Sequence, residues 1–295
     1  MKPEITVFTP TYNRAYILNK LYESLLIQNT DNFEWLIVDD GSMDNTKNLI
    51  KQWISDNKIP IRYIFQENQG KHIAINTGTK NAEGKYFLVV DSDDYLKRDA
   101  LKICGHLAEK IDEKRDFAGF TIIHFSEEYS ADESKYGKKE WVYGQKKYEW
   151  EFPGEAIFCY KTEVLKEFPF PQFSGEKFCP ESLIHRRIRR KKYHILFTDY
   201  YLMSGDYLED GLSSRYMQMM MNSPRAAMLS YKEKIWDTKN NAEKKEYARI
   251  YWDIALKSKH IPWKEKISSL PLYWTLRIFL NKFFHKFMKN HILKT

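Results

Sequence analysis

The first 125 residues alternate between short apolar runs and amphipathic segments. Ile5-Thr6-Val7-Phe8, Trp35-Leu36-Ile37-Val38, Ile61–Phe65, Tyr86–Val90 and Phe117–His124 are β-rich runs of four to eight residues. The second and fourth are apolar at every position, as strands covered on both faces are. Between them lie segments with apolar residues at helical spacing. Ile17, Leu18, Leu21, Leu25 and Leu26 form one such stripe, and Leu49, Ile50, Trp53 and Ile54 form another. Further helices are expected near 73–81 and 99–111, and Asn13 is placed to cap the first helix. Strand and helix alternating in this way predict an α/β fold with a doubly wound, mostly parallel sheet and helices on both faces.

In such sheets ligands bind beyond the carboxyl ends of the strands. Three polar clusters fall there: Thr9–Arg14, Asp39–Ser42 and Asp91–Asp94. Asp91 and Asp93 are separated by one residue, so their charges repel unless a cation sits beside them. A hard divalent ion with oxygen ligands, Mg²⁺ or Mn²⁺, suits such a pair and also takes phosphate oxygens. Turn and N-cap roles for Asp91 and Asp94, with no metal, are the plainer reading.

Four segments carry a resemblance: TPTYNR at 9–14, IVDDGSMDNT at 37–46, NQGKHIAINTG at 68–78 and GKYFLVVDSDD at 84–94. In order and spacing they resemble family 2 glycosyltransferases of bacterial polysaccharide synthesis. The resemblance implies a GT-A fold, a nucleotide-sugar donor and a divalent metal. It implies that Thr9, Pro10 and Tyr12 line the base pocket, with Tyr12 stacking. It implies that Asp40 accepts from the base, most naturally the N–H of uracil, and that Asp39 supports its loop. Lys71 would sit near the base or phosphates, Asp91 at the ribose, and Asp93 on the metal that bridges the diphosphate. Inversion at the anomeric carbon is likewise implied.

Residues 153–183 resemble the family's acceptor segment, with a strand, a short helix and then a carboxylate opening another helix. Where relatives carry adjacent Glu-Asp, this chain has Pro180-Glu181-Ser182. Glu181 is the expected catalytic base and Glu176 the second choice. Glu181 as a first-turn acid complementing the helix dipole is the structural alternative. Tyr207–Ser213 resembles a segment that closes over donor phosphates or shapes the acceptor site. Two other functions remain open on sequence grounds. One is a nucleotidyltransferase-like nucleotide-sugar enzyme, although no GxGxRL-like loop is present. The other is a silent nucleotide-sugar-binding or scaffold protein.

Charge changes the picture at the end of the chain. The net charge is +7. Residues 264–295 hold seven Lys or Arg and one Glu, so nearly all the excess lies there. The rest is close to neutral, which argues against a nucleic-acid partner. As a helix after Pro271, this tail aligns Leu276, Phe279, Leu280, Phe283 and Phe287, with cations mostly off the stripe. It is too often interrupted to span a bilayer and suits an interfacial helix on an anionic membrane. The expected organisation is a catalytic domain over 1–205 and a helical region with an amphipathic tail over 206–295. The acceptor is expected to be a saccharide, lipid-linked at a membrane. Three widely spaced cysteines and no leader pattern point to a cytoplasmic protein held peripherally at the inner face of the membrane.

Overall fold

In the computed structural model, residues 2–126, 139–142, 155–205, 215–268, 270 and 273–275 are described. The expected closing segment Tyr207–Ser213, most of residues 127–150 and the amphipathic tail from 276 onward lie outside these residues.

The apolar runs are strands, and the first, second and fifth extend further than their apolar cores. They are β1 (Ile5–Thr11), β2 (Phe33–Asp39), β3 (Ile61–Phe65), β4 (Tyr86–Val89) and β6 (Phe117–Ser126). β1 continues through Pro10 to Thr11, where the sequence pattern places a loop. The register explains the tolerance. β1 stays paired with β2 as far as Thr11↔Asp39, whereas its pairing with β4 stops at Phe8↔Val89. Beyond Phe8 one edge is open, so a residue without an N–H costs no ladder bond there.

The helices between them are α1 (Leu18–Leu26), α2 (Thr46–Asp56), α3 (Lys71–Asn81) and α4 (Ala100–Ile111). Asn13 does not cap α1, which begins after Ile17 without a side-chain cap. Asn13 instead takes a left-handed backbone (φ 53°). Its carboxamide oxygen accepts from the Met43 and Asp44 amides at 2.8 and 3.4 Å.

Along the sheet the order is β3-β2-β1-β4-β8-β6-β10-β5. It is built from the strands above, β5 (Asp94–Leu96), β8 (Glu155–Lys161) and β10 (Tyr201–Gly205). β9 (His194–Thr198) pairs with the first half of β6, and β7 (Glu140–Val142) pairs with β9. β1 to β4, β6, β9 and β10 run one way; β8, β5 and β7 run against their neighbours. The mostly parallel α/β architecture expected from the sequence is therefore present. One sheet face buries Val7, Trp35, Ile37 and Leu88 with Leu18, Leu21, Ile50, Leu101 and Leu107 from α1, α2 and α4. On the other, Phe8 stacks on Phe87 with centroids 4.9 Å apart. α3 approaches there so closely that a Cβ on Gly78 would meet the Phe8 ring at 2.1 Å.

Two compact units are present: residues 1–170 with 187–214, and residues 171–186 with 215–295. After β8 come α5 (Thr162–Lys166) and α6 (Ser182–Arg190), and the chain passes between the units within α6. The second unit contains α7 (Tyr216–Asn222), α8 (Pro224–Asp237), α9 (Asn241–Lys257) and α10 (Trp263–Ser268). Its core gathers Met220, Met228, Tyr231, Tyr251, Trp252 and Ile254. Among the described residues, no helix is long and apolar enough to cross a membrane.

Candidate functional site

The carboxyl ends of β1, β2 and β4 lie side by side, because those strands are neighbours in parallel register. This brings together the three polar clusters. Thr9 is fully buried, and its hydroxyl accepts from the Trp35 indole at 2.9 Å, so its side chain stiffens the strand end. Tyr12, three residues on, is 45% exposed and available for stacking. The turn that follows β1 is laced to the turn after β2. The Asn13 amide donates to the Ser42 hydroxyl (2.8 Å), and the Ala15 amide donates to the Asp44 carboxylate (3.1 Å).

Asp39 and Asp40 are both buried, and both carboxylates are engaged within the protein. Asp39 accepts from the Ser42 amide (2.8 Å) and the Tyr63 hydroxyl (2.7 Å), forming the local turn that its sequence allowed. Asp40 reaches across to the loop before α3. One of its oxygens accepts from the Gln66 side chain (2.7 Å) and the Gln69 amide (2.9 Å), and the other accepts from the Gly70 amide (2.8 Å). Gly70 needs its φ of 94°, and Gly41 its φ of 87°, backbone conformations that L side chains rarely adopt. A carboxylate has about four acceptor positions, so neither acid is saturated.

This bracing fixes where α3 starts and hence where Lys71 points. Its ammonium lies 2.6 Å from one Asp91 oxygen. The other Asp91 oxygen is buried with no hydrogen-bond partner. Asp93 is half-buried two residues away. Burial, and then the Asp91 charge, raise its carboxyl above the ordinary value, while Arg14 and Lys71 pull the other way. Two half-desolvated carboxylates, of which Lys71 compensates one and leaves its other oxygen orphaned, form a set of hard donors with charge still to be balanced. Mg²⁺ or Mn²⁺ fits that set. Among the described residues no three His, Cys, Asp or Glu side chains form a ready metal cage, so phosphate and water oxygens would have to complete the shell.

Asp94, present in the sequence only as a cluster member with a turn or cap role, meets His124, which the sequence did not single out. Asp94 opens β5, and its Oδ1 lies 3.0 Å from His124 Nε2 near the end of β6. Burial pushes the Asp94 carboxyl up to about 6, with the His124 bond opposing. Burial alone would lower His124, but the bond to Asp94 and the surrounding carboxylates raise it. A lone histidine in the run Phe117–Phe125 was the available signal. Nothing in one dimension showed that Asp94 would meet it.

The two candidate bases, Glu176 and Glu181, belong to the other unit. Glu176 is buried, and its two oxygens accept from the Arg225 and Ala226 amides at 2.9 Å each. It therefore caps α8 and is withdrawn as the second-choice base. Glu181 immediately precedes α6 and is half-exposed, with its carbonyl accepting from the Ile184 amide at 3.0 Å. One turn on, His185 is pushed down to about 4 by burial, with Glu181 opposing.

A parallel-stranded sheet ending in a base-sized aromatic, braced carboxylates and an acidic loop defines the GT-A class of nucleotide-sugar folds. Comparison with known proteins agrees. The profile of glycosyl transferase family 2 matches residues 6–171, more than half of the chain, and the chain belongs to that family. It is similar to glycosyltransferase GlyA of Streptococcus pneumoniae, at 34% identity over 167 residues, covering 56% of this chain and 23% of GlyA. The chain thus spans under a quarter of that relative's length. Among solved structures it resembles Staphylococcus aureus TarS 1–349 in complex with UDP, with a TM-score of 0.59 and 20% identity over 91% of this chain and 75% of that one. It also resembles the Pyrobaculum calidifontis mannosyltransferase PcManGT in complex with GDP-Man and Mn²⁺, with a TM-score of 0.56 and 17% identity over 87% and 74%.

Proposed function

We propose that this protein is an inverting glycosyltransferase that moves a sugar from a nucleoside-diphosphate donor, UDP in the first instance, to a saccharide hydroxyl. The observation that carries the reading is the convergence of Tyr12, the Asp40 brace, the Lys71–Asp91 pair and Asp93 at one sheet edge. Family membership and neighbours solved with UDP or with GDP-Man and Mn²⁺ support it.

Tyr12 offers a stacking face to the base. Pro10 and the strand end under Thr9 form the floor of the base pocket. Asp40, with acceptor capacity left, takes the base N–H, and Asp39 holds the turn beneath. Asp91 accepts from a ribose hydroxyl through the oxygen that Lys71 does not hold. Asp93 would hold Mn²⁺ or Mg²⁺, and the ion would supply Lewis-acid neutralisation of the departing diphosphate. Glu181 is the base that takes the proton of the acceptor hydroxyl as that oxygen attacks the anomeric carbon. Attack opposite the leaving group, through an oxocarbenium-like transition state, inverts the configuration.

The acceptor we propose is a lipid-linked saccharide in cell-surface polysaccharide synthesis. The basic aromatic tail would hold the enzyme peripherally at the inner face of the membrane. A panel of nucleotide-sugars with Mn²⁺ or Mg²⁺, scored by thermal stabilisation and donor hydrolysis, tests the reading. Stabilisation by a UDP-sugar only with metal is expected. No stabilisation by any nucleotide-sugar would overturn it.

A further inference from the structure

The loop Val90–Asp93 is pinned at both ends. At its start the Val90 amide donates to the Phe8 carbonyl of β1 at 2.9 Å. At its finish β5 pairs with β10, in the register Asp94↔Gly205, Tyr95↔Ser204 and Leu96↔Met203. The Asp94 amide closes the turn onto the Asp91 carbonyl at 3.1 Å. Only three residues lie between Val90 and Asp94, so where Asp94 sits sets where Asp91 and Asp93 can point. Asp94 is held sideways by His124, which lies opposite Met203 in the β6–β10 ladder.

Gly205 makes that contact possible. A Cβ there would lie 1.9 Å from Asp94 Oδ1 and 2.9 Å from His124 Nε2. Its backbone is ordinary strand, so conformational freedom does not explain the glycine. The space it leaves is filled by the carboxylate–imidazole pair. The pair does not face open solvent either, since both side chains are less than one-fifth exposed.

We propose that His124 is a positioning residue for the acidic loop, acting through Asp94 in the space left by Gly205 to aim Asp91 and Asp93 at a divalent cation and a nucleoside diphosphate. The inference rests on the donor reading above and extends it to residues that touch neither ligand.

The test uses the full-length protein and UDP binding by calorimetry, with and without Mn²⁺, for wild type, His124→Ala, His124→Gln and Gly205→Ala, with thermal unfolding measured on each. Gln keeps a donor at about the reach of Nε2. The expected result is that His124→Ala and Gly205→Ala weaken Mn²⁺-dependent UDP binding at least tenfold. Metal-free UDP affinity, which loses only the Asp91 contact to the ribose, should fall less than threefold, and His124→Gln should recover affinity to within threefold of wild type. A folded His124→Ala that binds Mn²⁺ and UDP like wild type would overturn the inference alone. So would equal weakening with and without metal, or a failure of Gln to rescue. No metal-dependent UDP binding in the wild type would overturn the donor reading, and this inference with it.

Discussion

Replacing Asp40 by Asn isolates the brace that holds the loop before α3. The change is nearly isosteric but removes one of two acceptor atoms. In the native protein one oxygen accepts from Gln66 and the Gln69 amide, and the other accepts from the Gly70 amide, all between 2.7 and 2.9 Å, the Gly70 bond buried and the other two partly so. Asn can satisfy one of these sides. On the other its NH₂ faces an N–H donor. One charge-assisted bond is lost, worth about 1.5–3 kcal/mol, and a buried donor is left unsatisfied at a cost of about 1–3 kcal/mol. These overlap, so a destabilisation of about 2–4 kcal/mol is expected, concentrated in the loop before α3. For a unit of this size that lowers the melting temperature by roughly 4–15 °C. The same loosening frees Lys71 from Asp91, so UDP affinity should fall together with stability. Differential scanning calorimetry and a UDP titration on the same preparation read both. A variant that melts within about 2 °C of wild type yet loses UDP binding would show that Asp40 only touches the base, and would refute the brace.

Glu176 and Glu181 should separate cleanly. Glu181→Gln is expected to keep donor binding and lose transfer, whereas Glu176→Gln should lower the melting temperature by removing an acceptor from the start of α8. Transfer at the wild-type rate by Glu181→Gln would move the base elsewhere. Acid should expose His72, whose ring is buried against Phe170, has an unpartnered Nδ1, and is pushed down to about 4 by burial. The unfolded chain binds that proton more readily than the folded one, so stability is lost as the pH falls through about 6.5 towards 4. The loss should reach about 2 kcal/mol by pH 4.5. Urea unfolding of His72→Phe at pH 7 and pH 4.5 should show a smaller acid loss than wild type, and an identical loss would exclude His72 as its source. Deleting residues 267–295 should abolish co-sedimentation with anionic vesicles. Retained binding would place the membrane contact elsewhere.

The strands were legible because their burial on both faces leaves near-continuous apolar runs, as in Trp35–Val38 and Tyr86–Val90. The carboxyl-end clusters were legible for the same reason, since polar residues that end such runs stand out. Pro10 was read as leaving the strand because its neighbours are invisible in one dimension. It stays in β1 because β4 has already diverged. Asn13 looked like a helix cap but is used across the gap to Met43 and Asp44, a tertiary contact that overrides a local preference. Glu176 stood as second choice to Glu181 in the sequence, and its oxygens lie on the amides that open α8. The short strands β5, β9 and β10 carry too little periodicity to announce themselves, and with them the meeting of Asp94, His124 and Gly205 was hidden.

In the proposed mechanism Asp93 and a divalent ion hold the donor's diphosphate. Titrating Mn²⁺ into the wild type and Asp93→Asn in the presence of UDP, followed by the electron paramagnetic resonance of free Mn²⁺, measures this directly. The wild type should take up one Mn²⁺ per chain only when UDP is present, and Asp93→Asn should leave the ion free in solution. Equal uptake by both proteins, or none by the wild type, would contradict it.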